Sequence, residues 1–133
     1  MILAPALLLA TLAAGCSDDN DSTVTPTPPV AVSETFSGTI TVNGAFSHSF
    51  TVDRAGQVTA QVTALAPDDT VTIGVALGTW NGIACQLIIA NDAAKLSSVT
   101  IGTATGPGIL CVRMSDVGQL GAATNYEVRV DHY

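Results

Sequence analysis

The sequence predicts an all-β fold, an antiparallel β-sandwich of about eight strands, jelly-roll or immunoglobulin-like. Three observations carry this expectation. Apolar and polar residues alternate with period two through most of the chain beyond residue 32, as in strands with one buried and one wet face. Clusters of Asn, Asp, Gly and Pro interrupt the alternation at short intervals. No stretch keeps helical spacing. The 133 residues leave room for one domain, 32–133, once the N-terminal segments are set aside.

In chain order, a weak strand is expected near Phe36–Val42, closed by the Asn43-Gly44 turn. Phe46, His48, Phe50 and Val52 then alternate with Ser47, Ser49 and Thr51 up to the turn Asp53-Arg54-Ala55-Gly56. Val58, Ala60, Val62 and Ala64 form the next apolar row, ending at Pro67-Asp68-Asp69. Val71, Ile73, Val75 and Leu77 lead to a turn drawn over Gly78-Thr79-Trp80-Asn81-Gly82. Cys85, Leu87 and Ile89 share a face before a turn at Asn91-Asp92, and a weak strand follows near Leu96–Ile101. Beyond Gly106-Pro107-Gly108 come Leu110, Val112 and Met114, and lastly Tyr126, Val128 and Val130 against Glu127, Arg129 and Asp131. β-branched enrichment at such spacing suits a sandwich.

The N-terminus is of another kind. Residues 1–15 (MILAPALLLATLAAG) are apolar and uncharged, yet shorter than the ~20 apolar residues that cross a bilayer. They read as a signal peptide. Leu12-Ala13-Ala14-Gly15-Cys16 resembles the lipobox of bacterial lipoproteins. The resemblance implies cleavage before Cys16 and lipid on its thiol, which would tie the chain to a membrane. No Lys or Arg follows Met1, so the basic segment of an export signal is expected upstream of this start. Ser17, rather than Asp, follows the cysteine, which points to the outer membrane over the inner in a two-membrane host. The segment 16–31, rich in Asp, Thr and Pro, is expected to be a disordered tether reaching some ~40 Å from the membrane.

Within the domain, Gly38-Thr39-Ile40 and Phe50-Thr51-Val52-Asp53-Arg54-Ala55-Gly56 resemble the opening of bacterial pre-peptidase C-terminal domains. Gly108-Ile109-Leu110-Cys111-Val112-Arg113-Met114 and Tyr126-Glu127-Val128-Arg129-Val130 resemble their two closing strands. That family implies a jelly-roll-like sandwich, normally appended to a secreted enzyme, some members binding collagen, carbohydrate or calcium. Here Leu110 and Cys111 stand where the family has aromatic residues, and no accompanying enzyme domain is expected. The fold carries over; the ligand does not.

With Cys16 assigned to lipid, Cys85 and Cys111 remain, and an exported domain with an even number invites a disulfide between them. Two buried thiols or a metal pair are the rival readings, but His48 and His132 lack metal-type spacing to either cysteine. His48, in an apolar row, is expected to be a core or sandwich-edge histidine, and His132 a frayed terminal one. No catalytic motif is present, so the chain is not expected to be an enzyme, and no cofactor is called for. Asp68-Asp69, Asn91-Asp92 and Asp116 could offer oxygens to Ca²⁺, a minor reading beside ordinary turn chemistry.

Trp80 is the one candidate for ligand binding. It either stacks on a sugar or partner from a loop rim, or caps the open end of the sandwich. Nucleic acid is disfavoured, since Arg54, Lys95, Arg113 and Arg129 form no stripe against eleven acids and a net charge of −7. The functional expectation is a non-catalytic, lipid-anchored envelope module that binds or displays, toward glycan or protein. The alternative is a structural envelope component without a soluble ligand. An exposed Trp80 favours the first and a buried one the second.

Overall fold

A computed structural model describes Gly15 and residues 23–133, so Cys16, the signal segment and most of the acidic stretch lie outside the described residues. Residues 23–31 carry no regular element and are exposed. Eight strands follow: β1 Val32–Ile40, β2 Ala45–Val52, β3 Gly56–Ala66, β4 Ile73–Trp80, β5 Cys85–Ala94, β6 Val99–Ala104, β7 Gly108–Ser115 and β8 Thr124–His132. All pairings are antiparallel. The sheets run β1-β8-β3-β6 and β2-β7-β4-β5.

This order is that of a jelly roll, two interlocked Greek keys closing an eight-stranded sandwich. It decides against the immunoglobulin-like alternative, in which the first strand would pair with the second. Here β1 pairs with β8 in one sheet while β2 pairs with β7 in the other. Adjacent strands in sequence therefore lie in opposite sheets at the start of the chain.

The inner faces meet as alternation demands. One sheet contributes Ile40, Val58, Ala60, Val62, Val128 and Val130; the other contributes Phe50, Val52, Val75, Leu77, Val112 and Met114. Each is buried, and each Val, Leu, Ile, Phe or Met among them contributes ~1.5–3 kcal/mol relative to exposure.

Register shifts occur at three places, Val62/Ala64 in β3 and Ile73/Val75 and Leu77/Gly78 in β4, and two of them break the expected rows. In β3 the register against β8 shifts between Val62 and Ala64, so Leu65 turns into the core and Ala64 faces solvent. In β5 Leu77 pairs with Ile89 and Gly78 with Leu87. Ile88 is the extra residue, and Leu87 and Ile89 land on opposite faces rather than sharing one. A bulge inserts one residue against its partner strand and flips every position beyond it.

Some turns also move. Asn91 and Asp92 lie within β5, and the reversal comes at Lys95–Ser98, where Ser98 Oγ accepts the Lys95 N–H at 2.8 Å. Trp80 ends β4, leaving a turn that Asn81 builds by accepting the N–H groups of Ile83 and Ala84 at 2.9 and 2.8 Å. Gly82 supplies the left-handed backbone there, at φ 94°.

Candidate functional site

A jelly roll has two open sides, and in this one they differ. On the side of β1 and β2, aromatic rings and both histidines fill the gap. Phe36 stacks on His48 at a 4.9 Å centroid separation, and Phe50 stacks on His132 at 5.2 Å. His48 Nε2 lies 2.7 Å from the Tyr126 hydroxyl, reaching from one sheet to the other. Gly38, opposite Tyr126 in the ladder, makes this possible: a Cβ there would sit 2.6 Å from the phenol oxygen.

Burial pushes the Tyr126 hydroxyl up to about 12, so it keeps its proton and donates. Burial lowers the His48 pKa below its ordinary value, so the imidazole is neutral and accepts through Nε2. His48 is thus the sandwich-edge histidine its row implied. His132 departs from expectation. It is 3% exposed rather than frayed, because β1 pairs with β8 to the last residue and Glu34 Oε1 accepts its Nε2–H at 2.7 Å. Pairing partners from the far end of the chain hold what local sequence would leave loose.

The opposite side, between β5 and β6, is apolar and narrow. Val58, Leu77, Ile88, Ile89 and Leu110 line a cleft of ≈ 40 Å³, room for water and not for a ligand. Outside it Ile88 and Ile101 are exposed, at 76% and 51%.

The outer face of the second sheet holds the roomier sites. Cys85 and Cys111 are joined by a disulfide with Cα atoms 5.7 Å apart. They belong to β5 and β7, with β4 between them, and two strand spacings would separate them by ~9.5 Å. The distance closes because β5 folds across β4 at Gly78, where a Cβ would lie 2.1 Å from the Gln86 carbonyl oxygen. This crossing buries Cys111 completely on an outward-facing position and curls the β4–β5 turn over the sheet.

Trp80 stands beside that curl, half-buried, neither a free rim indole nor a core one. With Phe46, Ser47, Ile83, Ala84 and Arg113 it lines an open hollow of ≈ 510 Å³. A second hollow of ≈ 530 Å³, polar in character, adjoins it and is lined by Asn43, Asp92, Arg113, Ser115, Asp116 and Gln119 among others. Arg113 borders both. Ser47 and Ala76 flank it on the neighbouring strands.

Sequence reading singles out Trp80 but not Arg113 or Ser47 as its neighbours. The signal available is parity: Cys111, Arg113 and Ser115 alternate with the half-buried Leu110 and the buried Val112 and Met114 and so share the outward face of β7.

The loop carboxylates are not brought together. Asp68 accepts from the Thr70 hydroxyl and N–H, the causes that hold its carboxyl below the usual value. Asp116 is likewise held low, first by the Asn43 N–H and then by those of Leu120, Gln119 and Gly118, which it caps as a loop. Asp92 rides on β5. Among the described residues no group of three or more His, Cys, Asp or Glu is placed to hold a metal ion.

Fold and surface together define a jelly-roll sandwich with one sheet face hollowed and stapled beside an aromatic residue. No protein-family model matches the chain, and no curated protein matches it.

Proposed function

We propose that this chain is a non-catalytic, lipid-anchored module of the bacterial cell envelope, and that it binds through the outer face of the β2-β7-β4-β5 sheet at Trp80. The lipobox-like Leu12-Ala13-Ala14-Gly15-Cys16 supports the anchor, and Ser17 supports the outer membrane. The likeness to pre-peptidase C-terminal domains supports an accessory rather than catalytic role. Both histidines spend Nε2 on a structural partner, which agrees with that role.

The observation that carries binding is Trp80 itself. A half-buried indole lines an open hollow beside Ser47 and Arg113, and a disulfide fixes the neighbouring turn. An amphipathic ring with polar neighbours on a rigid platform suits a sugar or a protein anchor. In a pull-down from envelope extracts, Trp80→Ala is expected to remove binding with a small change in melting temperature. A loss of several degrees with binding retained would assign Trp80 to packing and overturn this site.

One observation favours the alternative of a structural assembly component. β5 and β6 are free edges that expose Leu87, Ile88, Ile89, Val99 and Ile101 and carry a single charge, Asp92, and apolar edge strands invite strand partners. Ile88→Lys should then abolish assembly in the envelope and leave Trp80-dependent binding intact.

A further inference from the structure

We propose that the two hollows form one site for a neutral oligosaccharide, laid across the outer face of the β2-β7-β4-β5 sheet with Arg113 at its centre. This rests on the reading that the Trp80 face binds.

The hollows are not separate places. Ala45 and Arg113 line both, and each volume, ≈ 510 and ≈ 530 Å³, is of the size that holds a small ligand. Joined, they are longer than one sugar ring needs. The outward residues of the central strand β4, Gly74 and Ala76, raise no side chain that would divide them.

The chemistry along this path changes in order. At one end stands the indole of Trp80, a flat apolar surface for a ring face. In the middle stands Arg113, half-buried and outside the Arg129–Asp131 ion pair. Its planar fork of donors is unspent. At the far end Asp92 Oδ1 hangs over Gly74, 3.5 Å from where a Cβ would stand. Asp92 and Arg113 line the same hollow without pairing to each other. A fixed donor set and a fixed acceptor that do not meet suit a hydroxyl-rich chain, because each hydroxyl both accepts and donates. Asp116 is mostly spent on the loop, with three backbone N–H groups on Oδ1 and one on Oδ2.

Charge selects the class of sugar. The chain carries −7, and Asp92 and Asp116 border the second hollow. One arginine does not offset that field for a polymer with a carboxylate on every unit. A neutral chain meets no such repulsion.

The test is binding of the full-length protein in detergent to an array of neutral and acidic glycans, followed by calorimetry with the best neutral series from monomer to hexamer. Affinity should rise with length and then level off. Arg113→Ala and Asp92→Asn should each weaken the hexamer by about tenfold or more, change monomer binding little, and leave the melting temperature in place. Wild-type affinity in both variants, with Trp80→Ala still inactive, would overturn the extended path and leave the Trp80 reading standing. So would equal affinity for monomer and hexamer. Preference for acidic chains would overturn the neutral class. Silence on the whole array with a Trp80-dependent protein captured from envelope would overturn this inference alone, and silence in both assays would overturn the two together.

Discussion

His48 shows how much a single side chain's environment decides. It sits between Phe36, Phe46 and Tyr126, and its folded pKa is depressed by burial. Folding therefore favours the neutral ring, and the unfolded chain binds the extra proton. The stability this contributes is present above the ordinary value of ~6.5 and is lost as pH falls through the lower folded value. The difference in melting temperature between wild type and His48→Gln is expected to be flat above neutrality and to shrink in mild acid. A difference that grows on acidification would reverse the assignment. Gly78 makes the companion case. Its missing Cβ is occupied by the Gln86 backbone, 2.1 Å away, and backbone cannot swing aside as a side chain can. Gly78→Ala should force β5 off β4, lowering the melting temperature sharply and exposing the Cys85–Cys111 bridge to mild reductant.

At the scale of elements, the bridge and the hairpin it holds form one device. Cys85 and Cys111 are 26 residues apart, and closing a loop of that length contributes ~3.5 kcal/mol through the unfolded chain, less any native strain. The double replacement Cys85→Ala, Cys111→Ala should lower stability by about that amount in denaturant titration. The loss should not be evenly spread. β5 is an edge strand, so amide exchange is expected to rise first over Cys85–Ile89 and the adjoining turn, while β3 and β8 stay protected. Uniform loosening would mean that the bridge acts on the unfolded state alone and does not shape the Trp80 hollow.

For the whole molecule, the question is where the sandwich is held. Val32 opens β1, and residues 23–31 before it are exposed and without regular structure, a spacer between the domain and the proposed anchor. Cys16→Ser should move the protein from the membrane to the soluble fraction after carbonate washing. It should leave the melting temperature of the sandwich unchanged, since the core from Ile40 to Val130 lies wholly within the strands and loops after the spacer. Retention of the variant on membranes would end the lipoprotein reading.

The sequence by itself determined the class of fold, the approximate strands, the outward and inward rows of β2, β7 and β8, and the pair Cys85–Cys111. Those are local quantities: period-two alternation needs only neighbouring residues, and an even cysteine count needs only a tally. Tertiary structure alone decided the jelly-roll order, because loop closure permits several sandwich topologies from one alternation pattern. It also decided the bulges, since a bulge is defined by the partner strand and not by the strand that carries it. His132 was ordered by β1 and Glu34, nearly the whole chain away. The sequence leaves Trp80 in a turn as either rim or core; the fold sets it at the end of β4, half-buries it and joins it to Ser47 and Arg113 through strands that sequence does not bring together. A surface site is a conjunction of distant residues, and only the pairing of strands makes that conjunction visible.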